Sequence, residues 1–272
     1  MRINIFGSNG MIGSDIQNLA DDKFRYFSGN SKINYFSLLD LAGSKSIKNL
    51  NENDLVLFLN AMSKPSDCEY RKNECLNINY FQTVKVLQVL LDNGVKVLFA
   101  STDQVYGSSK TKFFCENSKT NPTNFYAYSK LLVEEKFNDY ENFKVLRFSQ
   151  CINGLDSFSK YCKSCIEENK AVEIFENFVR NIFSTDLIHD FLIQLLNKKV
   201  LFNSLPGIIN FGGNFPVNRS KFSDFLIDFN FIKKEENKIF LPRIAIDVSL
   251  LEKIMKTSYN FNFIKWKNYI YE

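Results

Sequence analysis

Residues Ile3-Asn4-Ile5-Phe6-Gly7-Ser8-Asn9-Gly10-Met11-Ile12-Gly13-Ser14 constrain the fold more than any other part of this chain. A short apolar strand runs into Gly-x-x-Gly-x-x-Gly, and a helical stretch follows. Glycine at these spacings permits a tight turn, a close approach of backbone to a pyrophosphate, and close packing of helix on strand. The N–H groups at the helix start then face the anion. Gly7, Asn9, Gly10, Met11, Ile12 and Gly13 are therefore candidate dinucleotide-binding residues.

The alternation continues. Strands are expected at 3–6, 24–28, 33–36, 54–60, 95–100 and 143–149, and helices at 12–20, 44–50, 68–93 and 126–138. Strands alternating with helices imply a parallel sheet, and its ligands bind beyond the carboxyl ends of the strands. After residue 150 the pattern is less regular, with helices expected at 157–169, 185–197 and 218–228 and strands at 171–175, 207–211 and 239–240. The expected fold class is α/β: a Rossmann-like parallel sheet with helices on both faces, plus a smaller C-terminal substrate lobe. Residues 1–150 form the dinucleotide-binding domain, and 151–272 form mainly the substrate lobe, with some segments returning to the first domain. A chain of 272 residues, 45% of them hydrophobic, is large enough for both.

Two segments bring chemistry to the carboxyl edge. Ser101-Thr102-Asp103 follows the buried-strand pattern Val95-Lys96-Val97-Leu98-Phe99-Ala100, and Tyr126-Ala127-Tyr128-Ser129-Lys130 opens a helix. Residues four apart on a helix share a face, so Lys130 is expected beside the Tyr126 phenol. A free phenol has a pKa of about 10, too high for efficient proton transfer near neutrality, and a neighbouring cation lowers it. Tyr126 then gives a proton to a substrate oxygen or takes one away, and the Thr102 hydroxyl holds that oxygen.

Taken in order with Asp40-Leu41, Leu59-Asn60-Ala61, Asn79 and Val145-Leu146-Arg147, these segments resemble the extended short-chain dehydrogenase/reductases that act on nucleotide-activated sugars. Within that group the chain looks most like the dTDP-4-dehydrorhamnose reductases and related 4-ketoreductases. Later matches, at Ser184-Thr185-Asp186-Leu187, Ile209-Asn210-Phe211-Gly212-Gly213 and Asp247-Val248-Ser249-Leu250-Leu251, are looser. The resemblance implies a nucleotide-diphosphate sugar as substrate. It places Asp40 and Leu41 at the adenine, Ala61 where the backbone passes the cofactor, and Asn79 in a helix supporting the site. Lys130 would hold the nicotinamide ribose, and Asp103 would orient the site or feed protons.

The residue after Asp103 decides the reaction class. In the similar 4,6-dehydratases it is a glutamate, which removes a proton next to a transient ketone while the aspartate protonates the departing hydroxyl. Here it is Gln104, and an amide accepts no proton near neutral pH. Hydride transfer needs neither carboxylate, so a reductase, or the reverse oxidation, is favoured. The second candidate is a 4-epimerase with tightly held NAD. The third is a cofactor-binding regulatory subunit without turnover, against which the intact Thr102, Tyr126 and Lys130 argue.

The second strand bears on the cofactor. NAD enzymes commonly carry an acidic residue about 20 residues beyond the glycines, bonding the ribose 2′-hydroxyl. Phe27-Ser28-Gly29-Asn30-Ser31-Lys32 occupies that place without a carboxylate. Ser28, Asn30, Ser31 and Lys32 can donate to a 2′-phosphate, which favours NADPH, with NADH as the alternative.

Other classes are disfavoured. The net charge of +4 is spread along the chain, not gathered into the basic stripe of a nucleic-acid binder. No apolar run reaches the roughly 20 residues of a membrane span. The first strand begins almost at Met1, leaving no room for a signal peptide, so a cytoplasmic location is expected. Cys68, Cys75, Cys115, Cys151, Cys162 and Cys165 are then expected as free thiols. Cys162-Lys163-Ser164-Cys165 has metal or redox spacing, but no second pair accompanies it and the single histidine, His189, lies in another helix. Lys160, Lys163, Arg180 and Arg219 are candidates for the nucleotide diphosphate by charge alone. The oligomeric state is left open, a homodimer included.

Overall fold

A computed structural model describes residues 1–18, 22–29, 36–40, 45–109, 113–175, 178–225, 231–234 and 243–271. Asn30, Ser31, Lys32 and Leu41 lie outside them, as do the expected strand at 239–240 and most of that at 33–36.

Strand β1 (Arg2–Phe6) is buried from Ile3 onward, and β3 (Asp54–Phe58) is buried throughout. Strands covered on both faces read as continuous apolar runs. With β2 (Phe24–Phe27), β4 (Lys96–Thr102), β6 (Phe143–Phe148) and β9 (Ile208–Phe211) they form one six-stranded sheet in the order β2-β1-β3-β4-β6-β9. Every pairing in it is parallel. β1 has β2 on one side and β3 on the other, so the chain's progression across the sheet reverses there. That switch point is where open parallel sheets hold ligands.

Alternate residues feed two cores. Ile3, Ile5, Leu55, Leu57, Leu98 and Leu146 pack with α1 (Met11–Asn18) and α7 (Thr185–Leu196). Phe6, Val56, Phe58, Val97, Phe99 and Val145 pack on the other face with α4 (Thr83–Asp92) and α5 (Phe125–Phe137). At the amino end of the strands, buried Asp54 takes Arg2 at 2.9 Å and Arg25 at 2.7 Å. This ion cluster lies at the edge opposite the glycine turn.

The single helix expected at 68–93 is a broken one. α2 (Pro65–Tyr70) and α3 (Lys72–Leu76) are separated at Arg71, and a π-helical turn spans Asn77–Gln82 before α4. π-turns re-aim side chains and gather at functional sites; this one carries Asn79. Two other expected helices are short 3₁₀ turns, Lys45–Asn49 and Arg219–Phe225. The second begins where the Asn218 side chain accepts from Ser220 N at 3.0 Å.

A third core gathers residues from beyond position 150. Phe158 and Cys162 of α6 (Ser157–Glu167), Val172 and Ile174 of β7 (Val172–Phe175), Phe222, and Trp266 of α9 (Phe263–Tyr271) pack together. The Trp266 indole donates to Ser159 Oγ at 2.9 Å. β8 (Val179–Arg180) pairs antiparallel with β10 (Val217–Asn218), and β11 (Phe231–Lys234) pairs parallel with β7. β5 (Phe113–Phe114) pairs with β12 (Ala245–Ile246), just before α8 (Ser249–Met255). Among the described residues no helix is long and apolar enough to cross a membrane.

Candidate active site

The glycine turn spans residues 7–10, and α1 starts at Met11. Gly7 has φ +87°, and a Cβ there would stand 3.1 Å from Asn60 N and Oδ1. A Cβ on Gly13 would lie 2.5 Å from the Gly7 carbonyl oxygen. Both positions require glycine, the first for its φ and the second for helix-on-strand contact. Gly7 N and Ser8 N both donate to Phe27 O, which ties the turn to the end of β2 beside buried Ser28. Asn9 and Gly10 are exposed at the mouth, and Met11 and Ile12 are half-buried. Asp40 is exposed, and Ala61 lies in the loop after β3.

These features fit a dinucleotide. At exposed Gly10 the turn has no Cβ to block a pyrophosphate, and the first turn of α1 has no acidic residue to repel one. Asn60 Oδ1 is buried against the turn without a partner among the described residues. A buried acceptor left unpaired is costly, and a ligand donor would satisfy it.

β4 ends on Thr102, which is 4% exposed. Its Oγ1 accepts from Gln104 N at 3.3 Å, capping the 3₁₀ turn Asp103–Tyr106. Gln104 Oε1 accepts from Asn124 Nδ2 at 2.8 Å, and Asn124 Oδ1 accepts from Ala127 N at 2.9 Å as the N-cap of α5. The segment after β4 and the helix bearing Tyr126 are thereby joined.

The Lys130 ammonium is engaged by β4. Its Nζ donates to the Ala100 carbonyl at 2.8 Å and sits 4.6 Å from the Phe99 ring centroid. Burial brings it down to about 7, with Glu134 opposing. The Tyr126 phenol is not lowered. Burial pushes it up, with Cys68 and Asp103 adding, and the largest opposing charge is that of Arg180. The expectation failed because a strand carbonyl competes for the ammonium, and because four-residue spacing sets a shared face but not the end of a long side chain.

The supporting shell is only partly visible in the sequence. Asn79 is buried; its Oδ1 accepts from Met62 N at 2.7 Å, and its Nδ2 donates to Met62 O and Ser129 Oγ, both at 3.0 Å. It clamps the loop after β3 to α5, a supporting position. Glu134, one turn beyond Lys130, takes the Ser101 hydroxyl and a bidentate Arg147, which also donates to Tyr106 Oη at 2.8 Å. Tyr106 donates onward to Asn210 Oδ1 at 2.7 Å, linking β4, α5, β6 and β9. Two residues escaped the sequence reading as partners of the candidate catalytic groups. Arg180, expected at the nucleotide diphosphate, pairs with Asp103, and the Cys68 thiol lies close enough to raise the Tyr126 phenol. Only a charged side chain in a short apolar strand hinted at the first. Cys162 and Cys165 are buried in the third core, and His189 packs edge-on against Phe24 at 5.6 Å. Arg219 lies between the rings of Phe158 and Phe178, at 4.2 and 4.0 Å.

Comparison with known proteins agrees with this architecture. GDP-6-deoxy-D-talose 4-dehydrogenase of Aggregatibacter actinomycetemcomitans is 23% identical, over 97% of this chain and 95% of that protein. A mutant of the UDP-glucuronic acid 4-epimerase of Bacillus cereus, solved with NAD and a fluorinated UDP-sugar, superposes with a TM-score of 0.80 at 17% identity, covering 100% of this chain and 99% of the other. A hypothetical dTDP-4-dehydrorhamnose reductase of Sulfolobus tokodaii gives 0.79 at 21% identity, covering 97% and 99%. Residues 1–240 match the family described as RmlD substrate binding domain. The chain belongs to that family, among the extended short-chain dehydrogenase/reductases acting on nucleotide sugars.

Proposed function

We propose that the protein is an NADPH-dependent reductase of a 4-keto nucleotide-activated sugar, serving deoxysugar or surface-polysaccharide synthesis. One observation carries this reading. Gln104, where a dehydratase has its base, is an amide already engaged by Asn124, while Thr102, Tyr126 and Lys130 are all present. A similar protein's name, a 4-dehydrogenase of a GDP-deoxysugar, supports carbonyl–alcohol chemistry at C4.

Gly7, Asn9, Gly10, Met11, Ile12 and Gly13 would hold the cofactor's pyrophosphate, with Ser28, Asn30, Lys32, Asp40, Leu41 and Ala61 along its adenosine half. Asn79 supports that loop. When bound, the nicotinamide supplies a hydride. Tyr126 Oη gives its proton to the oxygen at C4 as the carbonyl becomes an alcohol. A phenol pushed up by burial is protonated at neutral pH, the state that reduction uses. The Thr102 hydroxyl holds the same oxygen. Lys130 would hold the nicotinamide ribose. Asp103 orients Thr102. Residues 151–272 mainly receive the nucleotide-diphosphate sugar.

Tyr126→Phe tests the assignment. Turnover of a 4-keto nucleotide sugar should fall about 10²- to 10⁴-fold with NADPH affinity nearly unchanged. Near wild-type turnover would refute the role given to the phenol.

A further inference from the structure

Arg180 leaves the second lobe on β8 and ends at Asp103, 77 residues earlier in the chain. Its Nε donates to Oδ2 at 3.0 Å, and its Nη2 donates to Oδ1. Both side chains are buried, at 5% and 0% exposure. A planar fork meeting both carboxylate oxygens matches an ionised carboxylate. Asp103 directly follows Thr102, so the pair sits against the residue that would hold the substrate oxygen. Arg180 and Tyr126 are charged or titratable groups acting on Asp103, and Arg219 lies near Arg180. The Thr102 hydroxyl is adjacent. The buried Ser149 hydroxyl also acts on the carboxylate, pulling its pKa down.

We propose that Arg180 is a positioning residue that holds Asp103 as an anion beside Thr102, leaving Tyr126 as the site's proton donor and closing off elimination of a hydroxyl. This rests on the carbonyl-reduction reading. Elimination breaks a C–O bond, and the departing oxygen leaves as water only if an acid supplies a proton, while a base removes a proton from the neighbouring carbon. A carboxylate gripped by a guanidinium has no proton to supply, and Gln104 removes none. Reduction needs only one proton, from Tyr126, as the carbon gains a hydride. Burial holds the Asp103 carboxyl above its ordinary value, and Arg180 is the largest influence opposing that rise; the two-pronged contact with Arg180, not the titration, is what marks it as an anion. Without Arg180, a buried Asp103 takes up a proton in preference to standing as a lone charge.

The test uses Arg180→Met, Arg180→Lys and the double variant Asp103→Asn with Arg180→Met, which leaves no uncompensated charge. Arg180→Gln replaces Arg180→Met if the latter does not fold. Infrared difference spectra of the protein alone, taken across pH, report a protonated carboxyl by its carbonyl stretch. The expected result is a protonated carboxyl at neutral pH in Arg180→Met, lost in the double variant and absent from wild type and Arg180→Lys. The kcat profile of Arg180→Met for ketone reduction should gain an ionisation that the double variant lacks. A protonated Asp103 already in wild type, or identical spectra for Arg180→Met and the double variant, would overturn the proposal. The spectra need no substrate, so a wild type that reduces no ketone counts against the functional reading while leaving the clamp decided by the spectra.

Discussion

Gln104 and Asn124 are joined side chain to side chain, Nδ2 of Asn124 donating to Oε1 of Gln104 at 2.8 Å. The bond links the turn after β4 to the cap of the helix that presents Tyr126. It also occupies the oxygen that would stand in a dehydratase base's place. Wild type is therefore expected to leave dTDP-glucose, UDP-N-acetylglucosamine and GDP-mannose unchanged in the presence of NAD. Gln104→Glu alone is expected to do the same, because Asp103 is still gripped by Arg180. The product to look for is the 4-keto-6-deoxy sugar; its formation by wild type at an enzymatic rate would remove the chemical ground for calling this a reductase, and its formation by Gln104→Glu alone would show that the Arg180 contact does not block elimination.

Lys130 supplies a stability signature. Its ammonium is buried and titrates at about 7, against about 10.4 in an unfolded chain. Between those values the unfolded chain binds more protons than the native one, so native stability rises with pH through the window and is lost as pH falls toward 7. Relative to Lys130→Met, wild type should gain on the order of 4 kcal/mol between pH 7 and pH 10. Denaturant unfolding of both proteins at several pH values measures it. Parallel curves would mean that the lysine is not desolvated as its contacts indicate.

Asn79 makes a structural prediction with a functional readout. Asn79→Ala leaves Met62 N without the Asn79 acceptor and Met62 O with only the Cys68 thiol as donor, at a cost of about 1–3 kcal/mol. The loop bearing Ala61 then loosens, and the Michaelis constant for the cofactor should rise more than kcat falls. An unchanged constant in a correctly folded variant would confine Asn79 to the fold.

The sheet was legible because its strands are mostly apolar runs and are punctuated by the Gly7 turn and by Ser101-Thr102-Asp103. The π-turn at Asn77–Gln82 was not, since one extra residue in a helical turn leaves the apolar periodicity of Val86, Leu87 and Leu90 intact. Thr102 and Tyr126 could be singled out from local spacing. The Asp103–Arg180 and Glu134–Arg147 pairs could not, because each joins residues far apart in the chain through contacts that no local pattern encodes. The direction of the Tyr126 shift was missed for a related reason: burial depends on groups distant in the chain, Cys68, Asp103 and Arg180 among its neighbours, whereas the sequence displayed only the neighbouring lysine.

The most direct measurement of the central claim is a cofactor balance. Wild-type protein is mixed with NADPH and a 4-keto nucleotide sugar made in place by a dehydratase, and nicotinamide absorbance is followed alongside the sugar products. The account predicts one NADPH consumed per ketone reduced, with no consumption when the parent sugar is supplied alone. Interconversion of two C4 alcohols with no net loss of NADPH would contradict it and identify an epimerase.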